Sequence, residues 1–153
     1  MKHFNEFHDG WFQGLWIDGE ITHLFLATEG KERFVMVAEG TEALAVDGVK
    51  AGNIIFEVLT RDQEEILPQD IDLLYGLQPN SAGRVHGNIA IEKARLQKWS
   101  LLEINPSYGA TCLVLASSLS ILTHRDWLAE YGLTLSLIAP SAAPASTHST
   151  GQD

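Results

Sequence analysis

The sequence predicts an α+β protein dominated by an antiparallel β-sheet. Three observations point there. Residues 13–59 divide into short apolar segments separated by turn signals, with Asp18-Gly19 and Asp47-Gly48 the clearest. Those segments are apolar on both parities, the pattern of a sheet covered on both faces. Helical signatures come later, inserted between strands and following them, which favours α+β over a parallel α/β arrangement. A two-layered, β-sandwich-like sheet with two or three short helices is therefore expected.

In chain order, Gly14-Leu15-Trp16-Ile17 and Glu20-Ile21-Thr22-His23-Leu24-Phe25-Leu26 flank Asp18-Gly19 and form the first expected hairpin, through a type I′ turn. Glu29-Gly30-Lys31-Glu32 makes the next turn and leads into Arg33–Ala38. Gly40 is expected to break that strand before Ala43–Val46, and Asp47-Gly48 to open another hairpin into Ile54–Leu59. The charged stretch Arg61–Glu65 reads as a loop. Pro68 stands near a helix start, Ile71, Leu74 and Tyr75 share one helical face, and Gly76 is the stop.

Residues 79–87 are turn-rich, and Ile89–Lys98 fits a helical face, although Ile89-Ala90-Ile91 would equally begin a strand. Trp99–Ile104 returns to strand, Asn105–Gly109 has the composition of a turn, and Ala110–Leu122 is one long strand or two broken near Ser117-Ser118. Thr123 and Asp126 have capping-box spacing for a helix over His124–Tyr131 that Gly132 would end, with Leu133–Ile138 as a last strand. Residues 1–138 are expected to form one globular domain. Residues 139–153 are rich in Ala, Pro, Ser and Thr, lack the apolar area that offsets ordering entropy, and are expected to be a flexible tail.

Composition narrows the function classes. Ten Lys and Arg stand against twenty Asp and Glu, a formal net charge of −10. Such a surface repels phosphate backbones and anionic membranes, so no nucleic-acid or membrane partner is expected. It suits a basic protein partner; self-association is the other partner reading. The lone Cys112 lies in an apolar run, the opening ten residues are too polar for a secretory signal, and no segment approaches membrane-spanning length, so a cytoplasmic location is expected.

Catalytic signals are sparse. Phe7-His8-Asp9-Gly10 places an imidazole beside a carboxylate at a turn, the pairing that acid/base chemistry or metal ligation uses. Turn capping by Asp9 and a strand contact by His8 explain the same residues without chemistry. Glu57 and Glu103 sit within apolar strands. Buried, either would be an acid/base candidate; exposed or paired with an arginine, neither would be. Trp11 and Trp16 are candidate binding anchors or plain core.

No two histidines are spaced as ligand pairs, which leaves only a metal site from distant segments such as His8, His23 and Asp9. Neither a metal nor a cofactor is expected. Glycine-rich phosphate loops and GxSxG elbows are absent from the sequence, and Cys112 lacks the electropositive setting of a nucleophile.

Phe7-His8-Asp9-Gly10, Ala51-Gly52-Asn53-Ile54-Ile55 and Glu103-Ile104-Asn105-Pro106-Ser107-Tyr108-Gly109 together carry a resemblance. The chain resembles small uncharacterised bacterial β-rich proteins that begin with a Phe-His-Asp-Gly element, over about residues 4–122. That resemblance implies no catalytic assignment. Phe7-His8-Asp9 is also loosely similar to the start of some immunity proteins of polymorphic toxin systems, which implies a protein-binding role. The function expected is thus a non-enzymatic acidic binding protein. The alternative is a small hydrolase-like or ligand-binding protein centred on His8 and Asp9, with Glu57 or Glu103 nearby.

Overall fold

The computed structural model describes residues 1–78 and 80–138; Pro79 and the expected tail at 139–153 lie outside the described residues. The strands are β1 (Lys2–His3), β2 (Trp11–Asp18), β3 (Ile21–Ala27), β4 (Arg33–Asp47), β5 (Asn53–Arg61), β6 (Ser100–Tyr108) and β7 (Thr111–Thr123). The helices are α1 (Pro68–Tyr75), α2 (Ser81–Gln97) and α3 (His124–Ile138). All seven strands join one antiparallel sheet in the order β1-β5-β2-β3-β4-β7-β6, and β5 also pairs with β6. The ladder therefore returns to its start. The fold is α+β and mainly antiparallel, and the two expected layers are opposite walls of one closed sheet.

Closure rests on the N-terminal segment, which runs along one edge of β5. Lys2 and His3 pair with Thr60 and Leu59, and Trp11 and Phe12 pair with Ile54 and Asn53. A single 3₁₀ turn, Asn5–Phe7, carries the chain between the two short ladders. Gly10 O accepts from Ile55 N at 2.9 Å, and Asp9 N donates to Ile55 O at 3.1 Å.

Two-sided burial explains the apolar runs on both parities. Phe12, Leu24, Leu26, Met36, Ile104 and Val114 point inward to the barrel core. Outside, α1 and α2 cover Leu101, Leu113 and Leu115, while α3 lays Trp127 on Val35 and Val37.

Several local expectations change. Asp18 still pairs with Ile21, so Gly19 and Glu20 form the loop. Only Gly19 takes positive φ, at 59°, which is the φ pattern of a type II′ turn rather than I′. Gly40 (φ 59°) does not end its strand: β4 runs on to Asp47, with a register shift between Thr41 and Ala43. A bend here lets one long strand wrap the barrel. Asp47-Gly48 makes no hairpin, because β4 pairs with β3 and β7 while β5 lies across the barrel.

Asn105–Tyr108 belongs to β6, paired irregularly with β5. Arg61 ends β5 and is buried. The turn-rich composition before residue 88 is misleading too. Asn80 caps α2 by accepting from Gly83 N at 2.8 Å, and a Cβ on Gly83 would lie 2.0 Å from Gln78 O. Glycine there permits close approach rather than a turn. Thr123 caps α3 as its spacing predicts, with Thr123 Oγ1 accepting from Asp126 N at 3.2 Å. The helix then continues through Gly132 to Ile138, so Leu133–Ile138 is not a strand.

Candidate functional site

The four catalytic candidates occupy the outer surface of the wall formed by β1, β5 and β6, and the structure spreads them along it. His8 and Asp9 sit in the exposed turn before β2. His8 Nδ1 lies 3.2 Å from Asp9 Oδ2, and both side chains are more than half exposed (54% and 63%). Asp9 holds a φ of 58°, so turn geometry accounts for its place. His8 tilts against the exposed Phe56 ring, with 5.5 Å between centroids. Of the four candidates, His8 and Glu57 share a depression of about 110 Å³, together with Phe4, Asn5, Phe56 and Val58.

Glu57 and Glu103 are tied into a polar ladder. Asp70 on α1 takes two bonds from Arg61, at 2.7 and 3.0 Å, and Arg61 Nη2 also donates to Glu103. Asn105 Nδ2 donates to Glu103 Oε1 at 2.9 Å and reaches Glu57 Oε2 at 3.5 Å. His3 Nδ1 closes the far end, 2.9 Å from Glu57 Oε1. Asp70 Oδ2 further accepts from Leu67 N at 2.7 Å, which fixes the start of α1. The ladder clamps α1 and β6 to β5. Each glutamate in it is already engaged as an acceptor.

The two tryptophans part company. Trp11 opens β2, in a depression with the cations Lys31 and Arg33. Trp16, five residues further along β2 and opposite His23, lies in an aromatic cluster under α3. Its ring stacks on His23 at 4.8 Å and 16°, and Trp127 and Tyr131 meet His23 edge-on at 5.7 and 4.8 Å. His23 is fully buried.

Trp127 Nε1 donates to His23 Nδ1 at 3.0 Å. An indole N–H only donates, so Nδ1 must be the acceptor and the neutral ring carries its proton on Nε2. That Nε2 has no hydrogen-bond partner. Burial lowers the pKa of His23 below the ordinary histidine value, and the charge of Asp18 partly opposes this.

Four carboxylates surround this cluster. Asp18 and Glu39 share the outer face with Trp16 and His23, both opposite Ile21 in their ladders. Glu20 sits in the adjoining loop, and Glu130 precedes Tyr131 on α3. Burial raises the Tyr131 phenol, reinforced by Glu130 and by the charge of Glu39. None of the four carboxylates forms an ion pair among the described residues. The result is an acidic patch on an aromatic floor, with Trp16 and Tyr131 half-buried.

Sequence reasoning found Trp16 but not its partners. The signal was the i, i+4 pair Trp127 and Tyr131 on the helix that Thr123 caps.

His23 lies beneath α3 and His8 and Asp9 in the exposed turn, so the distant-segment metal site is not assembled. Among the described residues no group of three or more His, Cys, Asp or Glu is placed to hold a metal ion. Burial pushes the Cys112 thiol up to about 12, far from thiolate chemistry at neutral pH. No helix among the described residues is long and apolar enough to cross a membrane. No protein-family model, curated protein or solved structure matches the chain.

Proposed function

We propose that this chain is a non-enzymatic binding protein that holds a basic protein partner on the acidic, aromatic-floored face beside α3. The observation that carries this reading is the gathering of Asp18, Glu20, Glu39 and Glu130, none ion-paired among the described residues, around half-buried Trp16 and Tyr131. Unpaired carboxylates steer a cationic surface and set its register, while aromatic faces beneath them accept Lys or Arg side chains. A role of the immunity type, covering a basic domain of another protein, is the form that the Phe7-His8-Asp9 likeness favours. The single, buried cysteine fits a reducing cytoplasm. The hydrolase-like alternative needs three of His8, Asp9, Glu57 and Glu103 in one pocket, and the depression beside Phe56 holds two.

Titration with a Lys/Arg-rich peptide, followed by tryptophan fluorescence, tests the proposal. Saturable binding should weaken about tenfold or more from low to physiological salt. The combined variant Asp18→Asn/Glu39→Gln/Glu130→Gln should weaken it by about tenfold at low salt. Binding that ignores both salt and these substitutions would refute the assignment.

A further inference from the structure

Helix α3 is fastened to the sheet around one buried histidine. Its described side chains that pack on β2–β4 are Trp127 and Tyr131, set against Trp16, Phe25, Val35 and Val37. His23 lies inside that contact, fully buried. Trp16 stacks on its ring, and Tyr131 and Trp127 meet it edge-on. Nδ1 accepts from Trp127 Nε1, and Nε2 has no hydrogen-bond partner. An imidazolium donates from both nitrogens. Charged in place, the ring would set one N–H against the indole N–H and leave the other buried with no acceptor. The docked helix therefore admits only the neutral ring.

The surrounding charges favour the other state. Asp18 on β2 acts on His23 through its charge. Glu20 follows in the turn, Glu39 lies on β4 and Glu130 on α3, none of them ion-paired among the described residues. On α3, His124 stacks on Trp127 at 5.8 Å, and Arg125 and Asp126 are exposed in the first turn. The helix begins at His124, directly after β7, and takes part in no strand ladder. Its departure would break no sheet hydrogen bond.

We propose that α3 is an acid-released cover: protonation of His23 expels Trp127 and Tyr131 and frees the helix from β2–β4 while the barrel stays closed. In the released state both ring N–H groups meet water, and the imidazolium keeps the carboxylate of Asp18 as a neighbour. Because burial lowers the docked pKa, the released state takes up the proton first as pH falls. Going from pH 7.5 to pH 5.5 then favours release by up to about tenfold. The regulatory sense of this release rests on the basic-partner reading. Tyr131 and Glu130 leave the binding face with the helix, so protons and a basic partner bind opposite states and each opposes the other.

Amide hydrogen exchange of the full chain without partner tests the release, with each rate referred to the intrinsic rate at its pH. Free of the sheet, a helix of 15 residues is marginal in water, so its amides exchange. Amides of Trp127–Tyr131 should exchange ahead of those of Leu102 and Val114 at both pH values, through an opening smaller than unfolding. Their protection should fall by up to about tenfold from pH 7.5 to pH 5.5. His23→Gln, whose amide oxygen can still accept from Trp127, and His23→Phe should each abolish that fall. Exchange of α3 only in step with Leu102 and Val114, protection of α3 indifferent to pH, or a fall that both variants keep would overturn the proposal. With no partner present, such a failure leaves the basic-partner reading standing, and failure of peptide binding at pH 7.5 leaves the release standing.

Discussion

His23 is held neutral by its surroundings. Trp127 occupies Nδ1 as a donor, Trp16 and Tyr131 close both sides of the ring, and Asp18 is the charged group that acts on it. Protonating Nδ1 would set two donors against each other in a buried site. Because the folded pKa is lowered, the unfolded chain takes up this proton first as pH falls. Stability from His23 is therefore complete above about pH 6.5 and drains as pH drops through the lower folded value. Urea midpoints from pH 8 to pH 5 should fall for the natural chain, and that slope should flatten in His23→Phe.

Removing the donor with Trp127→Phe leaves Nδ1 unpaired and should cost about 1–3 kcal/mol at neutral pH. Arg61 makes a similar case with charge. Arg61→Met strands the Asp70 and Glu103 carboxylates and should cost about 3–5 kcal/mol in urea unfolding, much of it regained in Arg61→Met/Asp70→Leu/Glu103→Leu. Little of this was legible in the sequence. His23 reads as one residue of an apolar strand, because Trp127 is 104 residues away, and Arg61 as part of a charged loop, because Glu103 is 42 residues away and Asp70, only nine residues on, meets it through the packing of α1 on β5. Glu103 was open to two readings, and only the register of β5 against β6 decides between them.

At the level of elements, punctuation residues were legible where their effect is local and misleading where a distant neighbour decides. Pro68 and Gly76 bound α1 as their chemistry requires, and Thr123 starts α3. Gly83 and Gly40 do not break their elements, because each serves a close contact: Gly83 against Gln78 five residues back, and Gly40 against Ser117, which no local window contains. Asp47-Gly48 fails as a hairpin for a topological reason, since β4 already has both neighbours.

The connection from β4 to β5 is held instead by Asn53. Its Oδ1 accepts from Lys50 N at 2.8 Å and Ala110 N at 3.1 Å, and its Nδ2 donates to Phe12 O at 3.4 Å. It thereby ties the loops after β4 and β6 to β2. Asn53→Ala leaves these buried groups unsatisfied and should cost about 1–3 kcal/mol in urea unfolding. Faster amide exchange at Ala110 than at Val114 should accompany it.

For the whole molecule, apolar residues on both strand parities announced a doubly covered sheet. Closure was hidden, because it depends on two-residue ladders made by β1 and the start of β2, too short to show a period. Charge was legible as a total but not as a distribution. Of the twenty acids, Asp18, Glu20, Glu39 and Glu130 stand about Trp16 and Tyr131 with no ion pair among the described residues, while most of the others lie on other parts of the surface. That face, rather than the His8 turn, is where the proposed basic partner would find both charge and apolar contact.

NMR amide and indole correlation spectra, recorded while the full chain is titrated with a Lys/Arg-rich peptide, test this most directly. The account predicts shifts confined to Trp16, Asp18, Glu20, Glu39, Glu130 and Tyr131. Shifts centred on His8 and Glu57, or scattered over the whole surface, would contradict it.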